Sequence, residues 1–239
     1  MLLAIPLFVA VSLLLSVGFV RSEDSPVIQL TIEGAIGPAT DDYVERALET
    51  AVERNAQLGV IRIDTPGGLV TAMRGIIKNI TSASVPIASY VAPTGARAAS
   101  AGTYILFASH IAAMAPGTNV GAATPVKMGG TGSPAGAGKD RQEDDEAVDE
   151  APADASTQKI INDAVAYLQS LAELRGRNQE WAEKAVREAA SISASEALEL
   201  GVIDIVATGM ADLLQQLEGR EVMVLGQKRI LRTTCLLYT

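Results

Sequence analysis

Two stretches of the sequence decide its fold class: Asp64-Thr65-Pro66-Gly67-Gly68 and Gly95-Ala96-Arg97-Ala98-Ala99-Ser100-Ala101-Gly102-Thr103-Tyr104. Each follows an apolar run that is typical of a buried strand, residues 60–63 in the first case and 87–91 in the second. The glycine pair can direct backbone amides at a negatively charged oxygen, and Ser100 stands where a helix is expected to begin. The two stretches therefore predict strand-turn-helix units that carry hydrolytic chemistry.

The rest of the chain alternates strand and helix patterns around these two turns. Strands that alternate with helices imply right-handed crossovers and an α/β fold with a mainly parallel sheet. The expected strands are residues 27–32, 60–63, 87–91, 111–114 and 202–206, and the expected helices are residues 40–57, 69–80, one from about 100, one from 159, then 181–190 and 195–200.

Composition limits the classes of function. The chain has 239 residues, of which 48% are hydrophobic, so it can bury a full core in a single domain, expected over residues 25–217. Its net charge of -9 argues against nucleic acid, because phosphate binding needs clustered basic residues. The single cysteine, Cys235, excludes an intrachain disulfide.

Both ends of the chain differ from this domain. Residues 2–20 form a 19-residue stretch without charge, long enough to cross a bilayer as a helix, so residues 1–22 are expected to be a signal peptide or a membrane anchor. The sequence leaves both alternatives open. Residues 218–239 are expected to be a C-terminal extension, with either a natural or a truncated end.

A segment inside the domain has a different character. Residues 127–157 are rich in glycine and proline and then acidic, without apolar periodicity. Such a segment buries too little apolar surface to offset the entropy of ordering. We expect a flexible loop within one domain, with an interdomain linker as the alternative.

The candidate nucleophile is Ser100. A serine reacts at neutral pH only when a base removes its proton and donors stabilise the developing oxyanion. The backbone amides of Gly68 and Ala101 are expected to form the oxyanion hole, and Gly67 and Leu69 to contact substrate. A helix of small residues that simply packs beneath the sheet is the alternative interpretation.

The candidate base is Lys159 rather than the single histidine, His110. His110 stands at the entry to the next strand, where the helix after Ser100 carries it away from the hydroxyl. Lys159 is expected to open an otherwise apolar helix face directly after the loop. A lysine acts as a base only when it is neutral, so we expect it to be shielded from water.

These motifs resemble the membrane-bound Ser-Lys proteases of the NfeD type, the stomatin-operon partner proteins, over roughly residues 25–217. The resemblance implies a Clp-protease/crotonase fold of repeated β-β-α units, with Ser100 as nucleophile, Lys159 as base and the Gly68 and Ala101 amides as oxyanion hole. Relatives usually continue into several membrane helices and a small β-barrel, whereas this sequence stops at Thr239. The resemblance is carried by the two opening stretches, by Pro93, by Asn119-Val120-Gly121-Ala122-Ala123-Thr124-Pro125, and by Ala166-Tyr167-Leu168 with Gly176-Arg177-Asn178.

The resemblance implies a serine endopeptidase without metal or organic cofactor. Its expected substrate is an apolar stretch of a membrane protein, with a stomatin homologue as the leading partner. We further expect at least a homodimer, and a membrane-associated protein whose catalytic domain is extracytoplasmic. Two alternatives remain open: an acyl-CoA hydratase or isomerase on the same fold, and a catalytically silent membrane scaffold.

Overall fold

Residues 25–126, 151–233 and 237–238 are described by the computed structural model. The strands are β1 (Val27–Glu33), β2 (Leu58–Asp64), β3 (Ile87–Val91), β4 (Arg97–Ala99), β5 (Ile111–Met114), β6 (Asn119–Gly121), β7 (Ser191–Ser193), β8 (Ile205–Val206), β9 (Glu221–Val224), β10 (Gln227–Ile230) and β11 (Leu237–Tyr238). The helices are α1 (Pro38–Glu53), α2 (Val70–Ser82), α3 (Ala101–Ala108), α4 (Ala151–Arg175), α5 (Gln179–Arg187), α6 (Ala194–Glu199) and α7 (Met210–Leu217).

The main sheet is parallel throughout, in the order β11-β1-β2-β3-β5-β8. A small second sheet has the order β4-β6-β7, and β9 and β10 form an antiparallel hairpin. The predicted α/β class with a mainly parallel sheet is confirmed. Two repeats of the predicted β-β-α unit occur in chain order, β3-β4-α3 and β5-β6-α4.

Apolar side chains cover both faces of the main sheet. One face packs against α1 to α6, where the ring of Phe107 stacks on that of Trp181 with 5.7 Å between centroids. The other face packs against α7 and the β9-β10 hairpin through residues such as Leu213 and Val224. Residues 58–61 of β2 and all five residues of β3 are buried, so these segments do not alternate apolar with polar residues as a half-exposed strand does.

The start of α4, the length of β8 and the segment after residue 218 differ from the expected elements. Helix α4 begins at Ala151, so the expected loop is wrong for residues 151–157, and residues 127–150 lie outside the described part of the chain. The strand expected at residues 202–206 is shorter, since β8 contains only two residues. The extension expected from residue 218 includes the β9-β10 hairpin, which packs on the domain.

The expected signal peptide or anchor, residues 1–22, also lies outside the described residues. Among the helices of the described ranges, none combines the length and the apolar character needed to cross a membrane.

Candidate active site

The Gly67-Gly68 turn is pressed between two other parts of the backbone. Gly67 has φ +115°, and a β-carbon at this position would lie 2.7 Å from the Ser100 β-carbon. A β-carbon on Gly68 would overlap the backbone of Ile36. Only glycine fits at either position, so the turn that follows β2 is brought into direct contact with Ser100.

Ser100 occupies a strained turn between β4 and α3. Its φ of 50° and ψ of -116° lie outside the regions that side-chain-bearing residues normally adopt. Neighbouring structure holds this conformation, because the Ser100 amide donates to the Gly121 carbonyl at 3.0 Å and the Ser100 carbonyl accepts from the Thr103 amide at 2.9 Å. Strain of this kind concentrates at functional sites, and here it places a half-buried hydroxyl at the start of a helix.

The hydrogen bonds around the turn leave particular amides available. The Leu69 amide is engaged by the Ile36 carbonyl at 2.9 Å, and the Gly67 amide donates to the Thr65 hydroxyl at 3.0 Å. In the described part of the chain, neither the Gly68 amide nor the Ala101 amide donates to another backbone group. Gly68 and Ala101 line the same cavity as Ser100, and their assignment as the oxyanion hole stays a prediction.

Gly67 and Leu69 were both expected to contact substrate. Both amides are engaged in the turn and are not free to donate to a substrate. Gly67 allows the turn to lie close to Ser100. The exposed side chain of Leu69 is the part of this residue that a substrate could contact.

A cavity of about 80 Å³ opens beside Ser100. Helices α2, α3 and α4 and the segment after β6 form its walls, and most of its lining is apolar. The apolar lining side chains include Val70, Met73, Tyr104, Pro125, Ile160 and Tyr167.

An aromatic and ionic cluster forms one wall of this cavity. The Arg74 guanidinium bonds the Asp163 carboxylate at 2.7 Å and lies 4.2 Å from the centre of the Tyr167 ring. Tyr167 in turn stacks on Tyr104. Burial raises the pKa of Tyr104 far above its usual value, and the carbonyls of Ala123 and Ala164, each 3.3 Å away, are alternative acceptors for its single hydroxyl proton. Tyr104 is therefore a neutral donor and not a base for Ser100.

Lys159 lies on the helix that closes the cavity, but not where the sequence placed it. Because α4 begins at Ala151, Lys159 is not in the first helical turn, and its side chain is exposed rather than shielded. It does not line the cavity, although the next residue, Ile160, does. Lys159 shares a helix side with Asp163, four residues later, so it stands at the border of the lining face.

His110 is remote from Ser100, as expected. It follows α3, whose eight residues span about 12 Å, and Ser100 caps the other end of this helix. Its Nδ1 accepts a hydrogen bond from the Ile87 amide at 3.2 Å. Burial, together with the positive charges of Arg175 and Arg177, lowers the pKa of His110 to about 3. His110 has a structural role.

This assignment predicts a pH effect on stability. The pKa of His110 in the fold, about 3, lies below its ordinary value of 6.5, so the neutral form is favoured. Its contribution is fully present above about pH 6.5 and is lost as the pH falls toward 3. His110→Asn retains an acceptor for the Ile87 amide without titrating. We expect Tm to fall less between pH 7 and pH 4 in this variant than in the wild type, by several degrees. In a domain of this size, a change of about 1 kcal/mol in the free energy of unfolding moves Tm by about 2–4 °C. Equal slopes for both proteins in calorimetry would contradict the prediction.

Comparison with known proteins agrees with this geometry. Residues 26–225 match the profile of the NfeD1b N-terminal domain. The chain belongs to the NfeD1b family. It is 38% identical over 193 residues, 81% of its length, to the membrane-bound protease PH1510 of Pyrococcus horikoshii. It is 36% identical over 107 residues, 44% of its length, to the membrane protein NfeD1b of Bacillus subtilis.

Solved structures of the protease domain named 1510-N match the fold of this chain. One is a lysine-to-alanine mutant of this membrane-bound stomatin-specific protease in complex with a substrate peptide, with a TM-score of 0.76, 35% identity and coverage of 89% of this chain and 90% of that one. Another is a serine-to-alanine mutant of the same protease, with a TM-score of 0.75, 35% identity and coverage of 90% and 96%. The chain spans 40% of the length of PH1510 and 24% of that of the Bacillus protein.

Proposed function

We propose that this chain is a serine endopeptidase that uses Ser100 and Lys159. The observation that carries the proposal is the strained turn at Ser100, which stands between two available amides and beside an apolar cavity. Serine chemistry needs a nucleophile, an oxyanion site and room for an acyl group, and this arrangement supplies all three.

The proposed reaction has two halves. Ser100 Oγ attacks the scissile carbonyl, its proton passes to neutral Lys159, and the amides of Gly68 and Ala101 stabilise the oxyanion. The carbon-nitrogen bond then breaks as Lys159 returns the proton to the leaving amine. In the second half, water attacks the acyl-enzyme, Lys159 takes a proton from it and Ser100 recovers the proton as the acid product leaves.

Two observations support Lys159 as the base. The solved relatives include mutants of a serine and of a lysine, made in a protease that shares this fold. Helix α4 also runs along the Ser100 cavity, so an inward rotation of the flexible Lys159 side chain would bring its amine toward the hydroxyl.

The proposed substrate is an apolar segment of a membrane-associated protein, with a stomatin homologue as the leading candidate. The apolar cavity supports a hydrophobic side chain next to the scissile bond, and the related protease is named as stomatin-specific. We further propose that residues 1–22 are a signal peptide or an anchor that places the domain outside the cytoplasm at a membrane, and that it works at least as a homodimer. Sedimentation of the protein as a monomer alone at micromolar concentration would contradict the homodimer.

An acyl-CoA enzyme on the same fold is a weaker candidate. Such chemistry needs a carboxylate that is available as acid or base, whereas Asp163, the carboxylate that lines the cavity, is held by Arg74. Measured binding of a CoA ester by calorimetry would favour this alternative again.

Active-site labelling tests the proposal. A fluorophosphonate should label the wild-type protein, and mass spectrometry should locate the adduct on Ser100. Ser100→Ala should not be labelled, whereas Ser195→Ala, which removes an exposed serine on α6, should be labelled like the wild type. A folded protein that resists labelling and cleaves no peptide would support the silent scaffold instead. Unchanged proteolysis by Ser100→Ala would end the Ser100 assignment.

A further inference from the structure

The β9-β10 hairpin carries an unusual combination of exposed side chains. Three large apolar residues on it are more than half exposed: Met223 at 52%, Leu225 at 61% and Ile230 at 59%. Isolated exposed apolar residues are common on soluble proteins, but here they lie within eight positions of one another.

The register of the hairpin explains why the apolar residues stay outside. Directly paired residues of an antiparallel ladder point to the same side. Val222 and Val224 are buried against the sheet, so Met223 and its partner Lys228 point outward. Ile230 is paired with Glu221 and points outward as well. The outer side of the hairpin therefore carries the apolar side chains of Met223 and Ile230 beside the ion pair of Glu221 and Lys228, and the domain does not cover it.

The charge of this segment opposes that of the whole chain. Residues 219–233 contain four basic residues and one acidic residue, in a chain of net charge -9. The acidic residue, Glu221, is paired with Lys228 at 2.8 Å. Lys228 lies on the outer side, whereas Arg229 is paired with Val222 and lies on the other side of the ladder; Arg229 and Arg232 are both exposed. Apolar side chains bordered by basic ones match the interface of an anionic bilayer, where long basic side chains extend toward lipid phosphates.

The hairpin lies at the end of the sheet where the N-terminal segment enters the domain. The Arg232 amide donates to the Gln57 side chain, and the Gln57 amide donates to the carbonyl of Pro26, which precedes β1. Five residues, 21–25, separate Pro26 from the uncharged stretch that ends at Val20. The six residue steps from Val20 to Pro26 reach at most about 20 Å, so a retained anchor would hold this end of the sheet close to the bilayer surface.

We propose that the outer side of the β9-β10 hairpin, formed by Met223, Leu225, Lys228 and Ile230, rests on the surface of an anionic lipid bilayer. This inference rests on the membrane association proposed above and adds an orientation to it. Ser100 lies at the opposite edge of the sheet, beyond the carboxyl ends of the strands, and β2 with its seven residues spans about 23 Å. The active site would then face away from the lipid and receive a substrate segment that extends from the bilayer.

Site-specific fluorescence on the full chain tests this orientation. In a Cys235→Ser background, which removes the single cysteine, Leu225→Cys carries an environment-sensitive nitrobenzoxadiazole dye. The protein is incorporated into phosphatidylcholine vesicles that contain about 30 mol% phosphatidylglycerol, which makes their surface anionic. We expect the emission of the dye to shift to the blue. Lipids with a nitroxide near the headgroup should quench it at least twofold. The matched control is Thr94→Cys, an exposed position after β3 near the opposite edge, which should be quenched little.

The outcomes separate this inference from the proposals it rests on. Reversing the charge of Lys228 by substitution with glutamate should reduce quenching at position 225 in anionic vesicles, while cleavage of a soluble peptide stays unchanged. Vesicle flotation without quenching at position 225, or equal quenching at positions 94 and 225, would overturn the orientation. Failure to float would overturn it together with the membrane association. Shielding of the dye that depends on protein concentration without lipid would assign the surface to a second copy of the chain.

Discussion

Lys159→Ala is expected to abolish acyl-enzyme formation while the protein stays folded. The side chain is exposed on α4, so its removal leaves no cavity in the core and should change Tm little. Loss of a general base usually costs about 10²–10⁴ in rate, and we expect the upper end because none of the described residues that line the Ser100 cavity is a free base that could replace Lys159. The measurements are the burst of acyl-enzyme with an activated ester and the rate of fluorophosphonate labelling.

Two further variants test whether Lys159 or His110 is the base. Lys159→Arg should fail as well, since a guanidinium stays protonated and cannot accept a proton. His110→Asn should retain substantial activity, because His110 lies at the far end of α3 from Ser100. If the histidine variant were inactive and Lys159→Ala active, with both melting like the wild type, the Ser-Lys assignment would be wrong.

Gly68→Ala is expected to reduce acylation by about 10²–10³, the usual cost of losing one oxyanion donor. The new β-carbon would overlap the Ile36 backbone, so the turn must move and the Gly68 amide with it. We expect Tm to fall as well, because the parallel bridge between Ile36 and Gly68 depends on this close approach.

A matched glycine controls for general effects of the substitution. Gly37 is one residue from Ile36, has an ordinary extended backbone, and would place a β-carbon in open space. Gly37→Ala should therefore keep nearly full activity. Wild-type acylation by Gly68→Ala in a folded protein would remove the Gly68 amide from the oxyanion hole.

The local parts of the site are predictable from short stretches of sequence. Strands β3 and β5 appear at the predicted residues, because buried parallel strands are short apolar runs bounded by turn residues. The helix start at Ser100 follows from the glycine and alanine pattern around it. The structural role of His110 follows from its place after a helix of known length.

The start of α4 and the short strands β4 and β6 could not be predicted from the sequence. Residues 151–157 lack apolar periodicity, but a helix that is packed farther along can extend beyond its apolar stripe, so α4 begins before that stripe. Strands of three residues such as β4 and β6 carry little signal of their own and exist because each pairs with the other.

By itself, the sequence determined the fold class, the family, the glycine turn and the serine at a helix start, since each depends on residues that are close in the chain. The tertiary structure alone decided which amides remain available, because the Ile36 carbonyl engages Leu69 while the Gly121 carbonyl engages Ser100. It also decided that Arg74 holds Asp163 at the cavity wall and that Lys159 lies at its border. These features join segments far apart in sequence, and their geometry follows from how the helices pack on the sheet rather than from any local preference.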